Sequence, residues 1–311
     1  MASDVVVFAP RPVLTVTIEQ RGGVPDVHLH AGGQGVWQAR MLATLDVPVI
    51  LCACLGGETG RVLRHLLEEP GVRLRVSEGP SGNGAYVHDR RDGQRREIAE
   101  NAGAELTRHE LDELVQLTLA EALTAGLCVL SGASDPALVP PEIYQRLAHD
   151  LSTNGCRVLA DLTGAHLDAV LAGGAYLVKV SHEELLADGR ARSGGVGDLL
   201  AAMADLQRAG AEAVIVTRAA EPALVRLGER AYELRTPDLE PADPRGAGDS
   251  LTAAVVAGLA RGQQLPAAVR LGGAAGALNV TRHGLGSGSG YAVERLVDRI
   301  ELRPVRQEVG P

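Results

Sequence analysis

The chain has 311 residues, 45% hydrophobic and 22% charged, enough for one large core or a core with a small appendage. Its 30 Lys and Arg against 39 Asp and Glu give a net charge of −9 and a pI near 5.5, which argues against a binder of nucleic acid or anionic membrane, whose footprint is basic. Aromatics at 2% offer no stacking platform for bases, no apolar run reaches the ~20 residues needed to span a bilayer, and no basic stretch precedes Val5–Phe8 as a signal peptide requires.

In chain order, Val5–Phe8 is a short branched run that suits a buried strand. Leu14–Glu19 and Val27–His30 differ, because they alternate apolar and polar residues and so predict one wet face. Helical patterns at Gly35–Leu45 and Glu58–Leu67 flank the apolar strand Val49–Cys54, and Leu74–Val76 follows. Gly84–Arg90 and Arg95–Ala99 alternate again around the turn Arg91-Asp92-Gly93-Gln94. These four alternating segments, within residues 11–31 and 83–100, predict a small antiparallel β lid. A lid can close over a site and exclude water from it.

Thr107–Ala125 predicts a helix in which Thr107 and Glu110 form a capping box and Leu111, Leu114, Val115 and Leu119 share one face. Strands at Cys128–Ser131, Val158–Asp161, Leu177–Val180, Val214–Thr217 and Leu224–Leu227 alternate with helices at Pro141–Ser152 and Gly195–Ala209. An extended segment at Tyr232–Leu239 precedes helices at Leu251–Arg261 and Pro266–Thr281. The alternation predicts a doubly wound α/β fold in one domain spanning 1–311. Gly286–Gly290 reads as a flexible loop and the tail after Leu302 as loosely held. Cys52, Cys54 and Cys128 fall in strand runs and Cys156 just before one, as reduced core thiols of a cytoplasmic protein do.

Gly246-Ala247-Gly248-Asp249-Ser250 carries the most chemistry. Its glycines permit a tight turn with bared N–H groups, and the helix it opens adds a partial positive charge, which suits an anion. Asp249 repels an anion unless it takes a proton from an attacking hydroxyl. The turn by itself leaves two readings open, a phosphoryl-transfer site or a glycine turn with an acidic N-cap. No G-x-G-x-x-G follows the first strand, where Pro10-Arg11-Pro12 stands, so a dinucleotide-binding oxidoreductase does not fit.

Three further stretches accompany the turn: Ala31-Gly32-Gly33-Gln34-Gly35-Val36-Trp37, Leu55-Gly56-Gly57-Glu58-Thr59-Gly60 and Val129-Leu130-Ser131-Gly132. With Asp243–Gly262, they make the chain resemble the ribokinase-like carbohydrate kinases of the PfkB family over nearly its whole length. The resemblance is nearest to the 1-phosphofructokinase and tagatose-6-phosphate kinase branch. It implies a three-layer α/β/α sandwich with a mostly parallel sheet and a β lid, ATP and Mg²⁺ as cofactors, and transfer to a sugar or sugar-phosphate hydroxyl. It implies Asp249 as base and Gly246, Ala247 and Gly248 as the anion hole. It places Lys179, Thr217, Arg218 and Asn279 at the nucleotide and Glu184 at the metal through water. It places Thr15, Gly33, Gln34, Trp37 and Asn83 at the acceptor.

The chain departs from the family pattern at named positions. Ser181 replaces an asparagine, and Ala219 and Pro222 replace two glycines of the phosphate loop. Thr15 replaces an aspartate that holds sugar hydroxyls, Gln34 a lysine, Trp37 an asparagine and Asn83 an arginine. Loss of two cations weakens phosphosugar binding, since each charge-assisted hydrogen bond is worth roughly 1.5–3 kcal/mol. Trp37 then serves as a wall for an uncharged alcohol or as a core residue, and Arg11, His28, His30 and His88 are candidates to replace the lost cations. Arg218 reads as a phosphate contact or a surface arginine, Asn279 as an adenine neighbour or a plain helix-end residue, and Glu184 as a metal partner or a solvated helix residue. The lost glycines and Ser181 support an alternative, a weakened pseudokinase that senses a metabolite or nucleotide. The wet lid strands predict a homodimer through the lid.

Overall fold

The structure is a computed structural model that describes residues 2–282 and 288–305. The strands are β1 (Val5–Phe8), β2 (Val13–Arg21), β3 (Val24–Gly32), β4 (Val49–Gly56), β5 (Val72–Gly79), β6 (Asn83–Asp89), β7 (Arg96–Gly103), β8 (Leu127–Ser131), β9 (Arg157–Asp161), β10 (Ala175–Ser181), β11 (Ala211–Arg218), β12 (Glu221–Leu227), β13 (Arg230–Arg235) and β14 (Glu301–Pro304). A ten-stranded sheet runs in the order β14-β13-β12-β11-β10-β9-β8-β1-β4-β5. From β5 to β11 every pairing is parallel, and β12, β13 and β14 add an antiparallel edge.

Helices cover both faces. In β1 the alternation is visible within four residues: Val6 and Phe8 pack with Leu114, Leu147 and Met203, while Val5 and Val7 pack with Leu42, Val255 and Leu271. A strand apolar on both sides is the sequence mark of this three-layer arrangement. The helix Ala247–Ala260 is buried on every side from Ser250 to Ala260, and its small residues let the helix Leu265–Asn279 press against it.

The second sheet, in the order β3-β2-β6-β7, is the lid. Its two hairpins are antiparallel, as the alternation predicts, and they join through a parallel β2–β6 pairing. That pairing follows from topology, because the chain leaves the lid after β3, builds β4 and β5, and returns from the same side. The base of the lid is tied to the core by Glu110. The Thr107 capping box forms, with the Thr107 N–H donating to Glu110 Oε2 at 2.7 Å. Glu110 also accepts from Ser81 Oγ at 2.6 Å and Ser81 N–H at 3.0 Å, which draws this carboxylate into the interior at 1% exposure.

Several boundaries differ from the sequence reading. Helices at Gly164–Gly173, His182–Ala187 and Gly290–Leu296 were not legible, being short or glycine-rich. The segment after Leu302 is not loosely held at first: Arg303 and Pro304 pair with Glu233 and Tyr232 in the sheet edge. The extended segment ends at Arg235 rather than Leu239. Of the loop read at Gly286–Gly290, residues 286–287 lie outside the described residues. All four cysteines are buried and free. Among the described residues no helix is long and apolar enough to cross a membrane.

Candidate active site

The parallel strands end at one edge, and β8 to β11 end there on polar residues. Ser131 closes β8, Asp161 β9 and Ser181 β10, and Thr217 stands one place before the end of β11; Ser131 lies opposite Asp161 and Ser181 opposite Thr217. Over this edge comes the start of the helix Ala247–Ala260. Gly246 caps it at φ 72°, a left-handed conformation that glycine adopts without a Cβ penalty. Gly248 has a different reason to be glycine, because a Cβ there would lie 2.7 Å from Lys179 Nζ. The bared turn therefore sits directly against a buried ammonium group.

Lys179 donates to Asp161 Oδ1 at 3.1 Å. Burial disfavours its charge, but the fields of Asp161, Asp249 and Glu184 outweigh that and hold its pKa above the ordinary lysine value. Asp161 also accepts from Thr252 Oγ1 at 3.1 Å and Gln38 Nε2 at 3.3 Å, and Gln38 Oε1 accepts from Ser131 Oγ at 2.5 Å. Asp161, Gln38 and Thr252 are all buried, and the sequence reading passed over them. A signal existed for Asp161, a carboxylate closing an apolar strand, whereas Gln38 and Thr252 sit in helices that read as plain core elements.

Asp249 is half-buried beside this network. Burial pushes its carboxyl up to about 7, and the charge on Asp161 pushes the same way. Lys179 and a hydrogen bond from Gln34 pull it back. Gln34 opens the first helix, and its Oε1 accepts the Gly132 N–H at 2.8 Å. Its amide therefore bridges the β8 edge and Asp249. Glu184 sits across the site, tied to Ser181 in a capping box: the Ser181 N–H donates to Glu184 Oε2 at 2.6 Å, and the Glu184 N–H to Ser181 Oγ at 3.1 Å.

A cavity of about 1270 Å³ opens between this edge and the lid. Thr15, Gly33, Gln34, Trp37, Asp161 and Glu184 line it. Asn83 does not. Its Nδ2 donates to the Pro12 and Cys54 carbonyls at 3.0 Å each and its Oδ1 accepts the Gly56 N–H at 2.8 Å, so its amide is committed within the lid base. Arg11 is likewise buried, with its guanidinium on the carbonyls of Ser81, Gly82 and Ala104. Asn279 donates to the Arg245 carbonyl at 2.7 Å and accepts from Ser250 Oγ at 3.0 Å, bracing the glycine turn from behind. Arg218 donates to the Pro222 carbonyl at 3.2 Å within its own hairpin, where Ala219 holds a left-handed φ of 51°.

The arrangement can hold an anion at the Gly246–Gly248 amides beside a fixed cation, and can take a proton through Asp249. A family model described as pfkB family carbohydrate kinase matches residues 13–290. ATP-dependent 6-phosphofructokinase isozyme 2 of Mycobacterium tuberculosis is 29% identical over 301 residues, 96% of this chain and 86% of that protein. The 1-phosphofructokinase of Bacillus subtilis is 27% identical over 258 residues, 83% of this chain and 84% of that one. Phosphofructokinase-2 from Escherichia coli, solved in complex with fructose-6-phosphate, superposes with a TM-score of 0.82 at 25% identity, over 96% of this chain and 99% of that chain.

Proposed function

This chain belongs to the pfkB family of carbohydrate kinases and has the ribokinase-like fold, and on that footing we propose that it transfers the γ-phosphoryl group of ATP to a sugar hydroxyl with Asp249 as the base. The observation that carries this reading is the juxtaposition of Asp249, the glycine turn and Lys179, next to a cavity that Gln34, Asp161 and Glu184 line. An acceptor hydroxyl in that cavity donates its proton to Asp249 as its oxygen attacks the γ-phosphorus, and the bond to the bridging oxygen of ADP breaks. The Gly246–Gly248 amides and Lys179 meet the charge on the transferred group, in a site where water competes weakly.

The oxygen donors fit Mg²⁺. Among the described residues no group of three or more side chains forms a ready metal cage, and Mg²⁺ takes one or two carboxylates with water and nucleotide phosphates for the rest. Glu184 would hold it through water, and when bound it neutralises phosphate charge. On the nucleotide side Lys179, Thr217 and Arg218 stand nearest the reading. We place the protein in the cytoplasm, as its four free buried cysteines favour.

The test is ATP-dependent phosphorylation of a sugar panel by the wild type and Asp249→Asn. We expect kcat to fall by about 10²–10⁴-fold in the variant, the worth of a general base. The left-handed Ala219 and an Arg218 bonded within its own hairpin favour a second reading, a pseudokinase that binds nucleotide or metabolite. Equal MgATP turnover by the wild type and Asp249→Asn would select that reading.

A further inference from the structure

We propose that the acceptor carries no phosphate, and that a neutral lid subsite of His88, Thr17 and Thr15 receives its far hydroxyls. The proposal rests on the kinase reading above.

The cations around the cavity are committed. Arg40 pairs with Glu69 at 2.6 Å and donates to the Ala31 carbonyl at 2.7 Å. Arg90 and Arg245 converge on a single carboxylate, Asp243, Arg90 at 3.7 Å and Arg245 through Nε at 2.9 Å. Lys179 serves Asp161, Arg11 is turned onto backbone carbonyls, and Gln34 is neutral and engaged with Gly132. Among the described lining residues Arg95 alone has no ionic partner; it lies over the Tyr86 ring at 4.7 Å on the exposed lid edge. Carboxylates outnumber arginines in the lining, Glu97 and Glu100 among them. A phosphate dianion binds most tightly where several unpaired cations converge; here Arg95 is the one arginine of the described lining without a carboxylate, and Arg90 and Arg245 are held on Asp243.

His88 supplies the positive side of the argument. It lines the cavity at 5% exposure, with Nε2 against Thr17 Oγ1 at 3.1 Å and Nδ1 buried without a partner. Burial and the nearby Arg95, Arg90 and His30 hold its pKa down to about 4, so the ring is neutral at physiological pH. A neutral imidazole has one donor and one acceptor nitrogen. Whichever role Thr17 satisfies, Nδ1 is left with the other unmet, and a hydroxyl that reaches it can answer either. A phosphate oxygen answers only a donor. Thr15, one pleat along β2 on the same face, and the Trp37 wall extend this uncharged surface.

The experiment measures kcat/KM with MgATP for free pentoses, hexoses and polyols against the corresponding monophosphates. We expect the best free acceptor to exceed its monophosphate by at least about tenfold, and His88→Leu and the near-isosteric Thr17→Val each to raise its KM by about tenfold with kcat within about twofold, the size of one neutral hydrogen bond. Thermal shift makes the same comparison without turnover: stabilisation by free acceptors and none by monophosphates is expected. Preference for a monophosphate in either assay overturns the neutral acceptor and leaves the kinase reading standing. Stabilisation by neither set, or an unchanged KM in both variants, overturns the subsite. No Asp249-dependent MgATP turnover with any acceptor overturns the kinase reading and this inference together.

Discussion

Asp249 shows how one residue's chemistry is set by its surroundings. Its carboxyl is raised by burial first and by Asp161 second, to about 7, while Lys179 and Gln34 resist. In its proposed role as base Asp249 must be ionised, so kcat/KM should rise with pH to a plateau above about 7 and fall tenfold per unit well below it, read from a pH–rate profile. Removing the Gln34 hydrogen bond with Gln34→Leu removes a force that favours the charged form, so the acid limb should move to higher pH. The stability consequence has the opposite sense. A carboxyl whose folded pKa exceeds its unfolded value binds its proton more tightly in the fold, so its contribution is lost as pH rises from about 4 to about 7. Asp249→Asn should therefore raise Tm more at pH 8 than at pH 4.

At the scale of elements, the β11–β12 hairpin departs most from a strain-free design. Ala219 holds φ 51° at an exposed turn, where a Cβ crowds the following carbonyl. Ala219→Gly should relieve about 0.5–1 kcal/mol, less the entropy that glycine adds to the unfolded chain, and raise Tm by about 1–2 °C in a thermal melt. A drop in Tm would mean that the strain is absent. The helix at Thr107–Ala125 is the counterexample, because its capping box was readable from residue types alone. What the spacing did not reveal is that the same Glu110 reaches Ser81 and anchors the lid, a contact between residues 29 apart in the chain.

At the scale of the molecule, the lid has two unlike faces. His30 lines the cavity, while the adjacent Leu29 and Val27 are exposed at 48% and 58% on the far side, where Leu29 lies opposite Val16 and Val27 opposite Ile18. An apolar sheet face of this kind calls for cover, and we infer a homodimer through the lid. Gel filtration at micromolar concentration should give a dimer for the wild type and a monomer for Leu29→Arg; a monomeric wild type would count against it.

The sequence by itself determined the layers, because a two-sided apolar strand and a one-sided alternating strand obey different burial rules, and both can be read residue by residue. It also marked the Gly246–Asp249 turn, whose chemistry lies in consecutive residues. Only the tertiary structure decided which polar groups remain available. Asn83, Arg11 and Asn279 looked like ligand residues and are committed to backbone carbonyls, whereas Asp161, Gln38 and Thr252 looked ordinary and stand at the site. The physical reason is that a side chain's hydrogen-bond partners are brought to it by the fold from distant parts of the chain, so its residue type states what it can offer, and the packing states to whom.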